Sequence, residues 1–123
     1  MRIWLTIAAL NGLLAVAAGA FAAHGIKAAV GPQDLQIFET GARYHMYHAL
    51  ALGISALVMR GGAARRARLA AMLFLAGIVL FSGSLYLLAL THVMALAFVT
   101  PIGGTAFLAG WLALAFAAAK IDN

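Results

Sequence analysis

Two histidines three residues apart stand in the stretch Arg43-Tyr44-His45-Met46-Tyr47-His48-Ala49-Leu50, and a second polar cluster, Ser82-Gly83-Ser84-Leu85-Tyr86, interrupts a later apolar run. Residues at i and i+3 are surface neighbours on a helix, so the two imidazoles occupy adjoining positions of one element. A neutral imidazole offers one N–H donor and one acceptor nitrogen, and it ligates metals. His45 and His48 are therefore candidate metal ligands or ligand-binding groups, with Ser82, Ser84 and Tyr86 as hydroxyl partners and with Tyr44 and His24 as flanking ligand-binding candidates. A serine near a histidine also suggests a nucleophile and its base, but that chemistry needs a third group to orient the base. The three acids cannot supply it, because Asp34 and Glu39 precede the apolar layer and Asp122 lies in the tail. No catalytic residue is assigned, an enzyme is not expected, and no cofactor is specified. The missing deep carboxylate also argues against proton-coupled antiport.

The elements that position these groups follow from composition. Of 123 residues, 66% are hydrophobic and 9% charged, against roughly 45–50% and about 25% in soluble domains. A bilayer solvates that much apolar surface, in spans of about 20 residues each. Four such spans fit, roughly residues 3–23, 33–59, 69–90 and 103–119, which predicts an all-α, four-helix transmembrane bundle forming a single integral membrane domain. Pro32 suits the first position of the second helix and Asp34 its first turn, with Glu39 placed four residues ahead of Arg43. The opening run from Arg2, with Ala20-Phe21-Ala22, has features of a secretory signal. It is read as the first membrane helix.

Charge sets the orientation. Arg2, Arg60, Arg65, Arg66, Arg68 and Lys120 fall on one side, against Lys27 and Arg43 on the other. Cytoplasmic loops carry the excess of Lys and Arg, so both termini are expected in the cytoplasm, and the imbalance argues against dual topology. The net charge of +5 thus reflects orientation; no soluble basic face exists to follow a nucleic acid. There is no cysteine, which excludes disulfides and thiolate chemistry.

With a rise of 1.5 Å per residue, the basic residues serve as depth markers. Counting from Arg60 places His45 roughly 7 Å and His48 roughly 12 Å below the outer boundary of a core about 30 Å thick. Ser82, Ser84 and Thr105 fall at similar levels, so three helices contribute to one outward polar layer. Ionisable groups at such depth are by default functional and face the bundle. The competing expectation is that His45 and His48 bond to Ser82, Ser84 or Tyr86 only to hold helices together. His24 and His92 mark the outward ends of helices one and three, where the dipole favours a protonated ring. Tyr44, Tyr47 and Tyr86 suit an outer aromatic belt and Trp4 an inner one. Asn11, near the midplane, must find a partner on another helix, and Trp111 is expected to pack inside the bundle. Small-residue stripes, Ala8/Gly12/Ala15/Gly19 and Ala106/Gly110/Ala113/Ala117, suit close packing within the bundle or between subunits. Gly103-Gly104 after Pro101 suits a turn and tight packing.

Four segments in this order, Gly19-Ala20-Phe21-Ala22-Ala23-His24-Gly25, the Arg43–Leu50 and Leu80–Tyr86 stretches, and Thr100-Pro101-Ile102-Gly103-Gly104, carry a resemblance over nearly the whole chain. The sequence resembles the small multi-pass membrane proteins of the domain-of-unknown-function 423 family, related to transmembrane protein 256. It departs from the family pattern at Ala22, where glycine is more usual, and at His45, where glutamine is common; the second departure shifts weight to His48. The resemblance implies a bacterial inner membrane and brings no established activity, cofactor or catalytic residue. Three functions are consistent with these residues: an oligomeric module binding a small, lipophilic or metal ligand in the polar layer; a pore or carrier for a small molecule, ion or proton; and a structural or accessory subunit. The expected partners are the bilayer and a second copy or another membrane protein.

Overall fold

Four long helices account for nearly all of the chain in the computed structural model, which describes residues 1–121. They are α1 (Arg2–Ala29), α2 (Pro32–Val58), α3 (Ala64–Thr91) and α4 (Thr100–Ala118), with a 3₁₀ segment, Met94–Phe98, leading into α4. No strand occurs among the described residues. Asp122 lies outside them. Three helical stretches, Arg2–Ala29, Ala64–Thr91 and Met94–Ala118, are long and apolar enough to cross a membrane on composition alone. The remaining helix, α2, carries Asp34, Glu39, Arg43, His45 and His48. Its polarity is the price of the site it bears.

The helix starts follow local rules. Pro32 occupies the first turn of α2 and Asp34 sits beside it, where proline needs no intrahelical partner for its nitrogen and an acid meets the positive end of the dipole. At the far end of α3 the chain reverses through His92, which holds φ 59° in the left-handed region. Its Nε2 lies 2.5 Å from Asp34 Oδ2, tying the end of α3 to the start of α2. The Glu39–Arg43 pair expected within α2 is not formed among the described residues; the contact found is His92 with Asp34, a salt bridge when the imidazole is protonated.

Two π-helical turns interrupt the regular winding, Ala22–Ile26 in α1 and Ile78–Ser82 in α3. Each is closed by an i+5 bond, from Lys27 N–H to Ala22 C=O and from Gly83 N–H to Ile78 C=O. The extra residue rotates everything beyond it by about 100° relative to an unbroken helix. The π turn of α1 lengthens that helix past His24, so the segment after Ala23 is helical rather than a loop.

α1 packs on α2, α2 on α3, and α3 on both α2 and α4, so α1 and α4 flank the α2–α3 pair. A Cβ at Gly62 would lie 3.7 Å from the Lys120 carbonyl oxygen, and Trp4 borders a groove with Met72 and Leu75. The start of α1, Lys120 and the α2–α3 loop therefore share one end of the bundle. The main core, around Ala51, Leu52, Ala67, Ala71 and Phe74, lies toward that end, and a smaller one, Ala22, Ile26, Phe38 and Ala89, toward the other.

Glycine-for-ring exchanges set the α3–α4 spacing. The Phe107 ring occupies the space a Cβ on Gly77 would need, and the Phe74 ring does the same at Gly110. A Cβ on Gly103 would strike the backbone of Phe81, within the π turn. Of the stripe read from α4, Gly110 and Ala117 are buried and act in this contact. The stripe on α1 behaves differently: Ala8 and Ala15 are buried, but Cβ atoms at Gly12 and Gly19 would meet nothing within 4 Å. Those two glycines do not mediate a close approach within the chain.

Candidate functional site

α2 places His45 and His48 on its buried side, each 5% exposed, and the two rings turn to different neighbours. His45 lies 2.9 Å through Nδ1 from the Tyr86 hydroxyl and 3.0 Å through Nε2 from Asn11 Oδ1. Asn11 uses its amide NH₂ to donate to the Ile7 carbonyl at 2.9 Å, so its oxygen faces the ring. That assignment fixes the proton: Nε2–H of His45 donates to Asn11, and Nδ1 accepts from Tyr86. One neutral imidazole thus joins α1, α2 and α3.

His48 does the equivalent toward α4. Its Nδ1–H donates to the Tyr44 carbonyl at 2.7 Å, and its Nε2 accepts from the indole N–H of Trp111 at 3.1 Å. The ring stacks on Phe107 with centroids 3.5 Å apart and planes 7° from parallel, and Phe74 and Tyr44 complete an aromatic enclosure. Phe74 also meets Trp111 edge to face at 5.1 Å, an arrangement that suits the ring quadrupoles. Both histidines are the neutral tautomers that a low-dielectric setting demands, since a bare charge there is costly.

Several expectations are corrected here. His48 bonds to neither Ser82 nor Ser84. Ser84 Oγ instead donates to the Phe81 carbonyl at 2.9 Å and meets Thr100 Oγ1 at 2.5 Å, securing α3 to the start of α4. Ser82 is fully buried, and its hydroxyl has no hydrogen-bond partner among the described residues. Thr105 is exposed and bonds within its own helix to the Pro101 carbonyl, so it does not join the polar layer. The four ring nitrogens of His45 and His48 are engaged within the chain, and no group of three or more His, Cys, Asp or Glu side chains gathers around them among the described residues. His24 sits exposed in the π turn of α1, apart from the cluster. Tyr44 is partly exposed beside Phe81 and Tyr47, consistent with a boundary position. Trp111 keeps one side toward lipid at 45% exposure while its N–H points inward.

The sequence reading did not pair His48 with Trp111. A signal was present, because an indole N–H at membrane depth needs an acceptor. Counted from their own basic markers, Trp111 lies roughly 14 Å and His48 roughly 18 Å from the inner boundary, close enough to meet.

Beside the His45 bonds, a groove of about 480 Å³ opens sideways between α1 and α3. It is walled by Leu14, Ala17, Ala18, Phe21 and Phe38, with His45 and Tyr86 as its polar groups. Its wall is almost wholly apolar, with the His45 and Tyr86 side chains at one edge. The Tyr86 oxygen, while donating to His45, retains acceptor capacity.

Apolar helices around a closed, neutral hydrogen-bond network define a small multi-pass helical membrane protein. The chain belongs to the family described as "Protein of unknown function (DUF423)", matching it over residues 18–104. That stretch contains both π turns, both histidines and Tyr86, and leaves Asn11 and Trp111 outside. The chain is 44% identical to the UPF0382 membrane protein YwdK of Bacillus subtilis, over 98% of each chain. It is 43% identical to a UPF0382 membrane protein of Haemophilus influenzae, covering 95% of this chain and 94% of the relative. With the UPF0382 inner membrane protein YgdD of Escherichia coli it shares 39% identity, covering 99% and 93%. No solved structure matches.

Proposed function

We propose that the protein is a bacterial inner-membrane module that binds a small amphiphile in the groove between α1 and α3, its tail along Leu14, Ala17 and Phe21 and its head beside the Tyr86 oxygen. The inner-membrane assignment draws on the name of the Escherichia coli relative. The observation that carries the ligand reading is the groove itself, apolar along its walls and bordered by the Tyr86 side chain. Because Tyr86 donates to His45, the spare capacity on its oxygen is for accepting, so the head group is a donor such as a hydroxyl. Both termini face the cytoplasm, by the charge bias, and a second copy is the expected neighbour.

Native mass spectrometry of protein extracted in mild detergent tests this directly. Ala17→Trp fills the groove without touching the hydrogen bonds, and should abolish a co-purifying amphiphile while leaving stability unchanged. Persistence of the same bound species in that variant removes the ligand reading.

A second reading, a structural or accessory subunit, is favoured by one observation: all four ring nitrogens of His45 and His48 are satisfied inside the chain. On this reading the network only fixes helix positions. A pore or carrier within one chain is less well supported, because Leu52, Ala56, Ala67, Ala70, Ala71 and Phe74 close the bundle beyond the histidines, each at most 0% exposed.

A further inference from the structure

At the end of the bundle that bears the start of α1, Arg65, Arg66 and Lys120 line a recess of about 250 Å³. Arg66 also borders a second, apolar groove of about 380 Å³ between α3 and α4, whose other walls are Leu69, Ala113 and Phe116. One guanidinium nitrogen of Arg66 donates to the Phe116 carbonyl at 3.1 Å, in the last turn of α4, where carbonyls lack intrahelical partners. That bond holds Arg66 at the junction of the two spaces and leaves its other donors available. Arg65 and Arg66 lie in the first turn of α3, which has no acidic side chain. Cations are unfavourable at this positive end of the helix dipole, and an anion is favourable. Asp34 and Glu39 stand near the start of α2, at the opposite end; Asp122, two residues past Lys120 in the sequence, lies outside the described residues.

From this juxtaposition we infer that the α3–α4 face binds an anionic glycerophospholipid, its phosphate in the basic recess and an acyl chain along the groove. Guanidinium matches phosphate geometry through paired N–H donors, and basic pockets between membrane helices on the cytoplasmic side hold acidic lipid head groups. The order of polarity fits a lipid rather than a free anion: Leu69 lies one turn, about 6 Å, deeper than Arg65 along α3, so the apolar groove begins where a head group ends. This site is separate from the α1–α3 groove and does not depend on it.

Native mass spectrometry on the full chain, titrated with phosphatidylglycerol, with phosphatidylcholine of identical acyl chains, or with inorganic phosphate as competitor, tests the assignment. Phosphatidylglycerol should bind in preference to phosphatidylcholine, and equimolar phosphate should not displace it. Arg65→Gln with Lys120→Gln keeps the Arg66 cap and should weaken phosphatidylglycerol about fivefold per charge removed, about 25-fold for the pair. Ala113→Phe narrows the groove with every charge intact and should weaken it as well. Both variants should retain the helical circular dichroism and monodisperse elution of the parent. Equal binding of the two lipids, or phosphatidylglycerol binding unchanged in both variants, overturns the inference. Displacement by inorganic phosphate overturns it too, leaving only an anion recess.

Discussion

Trp111 donates its indole N–H to Nε2 of His48 at 3.1 Å, and this bond, with the Nδ1–H of the same ring on the Tyr44 carbonyl at 2.7 Å, connects α4 to α2. α4 otherwise packs mainly on α3. The pair is therefore a principal polar tie between the second and fourth helices, placed inside the aromatic enclosure of Phe74 and Phe107.

Trp111→Phe should keep the edge-to-face contact with Phe74 and remove only the donor. Interhelical hydrogen bonds in membranes average about 0.6 kcal/mol and reach roughly 1.7. The variant should lose a stability within that range in a detergent unfolding titration, and His48→Ala in the Trp111→Phe background should cost less than in the parent. Strict additivity of the two changes would show that the bond is not energetically coupled.

Asn11 and Tyr86 address the two nitrogens of one ring, so they should be coupled through His45. Tyr86→Phe strips the donor from Nδ1, and Asn11→Ala strips the acceptor from Nε2–H. Each single change should cost about 0.6–1.7 kcal/mol. His45→Gln supplies an NH₂ donor for Asn11 and an acceptor oxygen for Tyr86, and should recover most of the loss of His45→Ala. No recovery at all would mean that the hydrogen bonds to Asn11 and Tyr86 contribute nothing to stability.

The depth map made part of this legible. Asn11 was expected to need a partner on another helix, and His45 was expected to meet Tyr86 or a serine; both expectations rest on depth, which a 1.5 Å rise gives directly. Azimuth was not legible. α4 is apolar nearly all round, so no polar face marks which side of Gly103–Ala117 meets the bundle. The π turn at Ile78–Ser82 also rotates Ser84 and Tyr86 away from where an unbroken helix places them relative to Phe74. No periodicity in the sequence announces that extra residue. Depth alone therefore points His48 toward Ser82 and Ser84, and the rotation of the helices turns it to Trp111 instead.

Two glycines should respond in opposite directions. Gly12→Ala meets open space and replaces a residue about 0.8–1.0 kcal/mol less favourable than alanine in a helix, so it should be neutral to stabilising in a thermal melt. Gly103→Ala drives a methyl into the Phe81 backbone, and overpacking of this kind costs about 1–3 kcal/mol. A stable Gly103→Ala protein with unchanged melting would contradict the observed α3–α4 spacing.

His92 sets two effects against each other. Its left-handed backbone costs a residue with a Cβ roughly 1–2 kcal/mol, whereas an exposed ion pair such as that with Asp34 returns about 0.2–1 kcal/mol. The backbone effect is the larger. His92→Gly should therefore hold or raise stability despite losing the pair, and Asp34→Asn should lower it slightly. If His92→Gly proves clearly destabilising, the link between the end of α3 and the start of α2 matters more than these magnitudes allow.

Ser82 gives the sharpest separation between a ligand-free core and an occupied one. Its hydroxyl is fully buried without a partner among the described residues, and an unsatisfied buried polar group costs about 1–3 kcal/mol. Ser82→Ala removes that group and leaves a void no larger than one oxygen atom. It should raise stability by up to about 1 kcal/mol, since the small void offsets part of the gain. Ser84→Ala provides the contrast on the same turn, because it deletes a hydroxyl that bonds both Phe81 and Thr100 and should destabilise. Paired unfolding titrations of the two variants in one detergent measure the difference. A Ser82→Ala protein less stable than its parent would mean that the hydroxyl has a partner in the membrane, and the space around the π turn of α3 would then have to be treated as occupied.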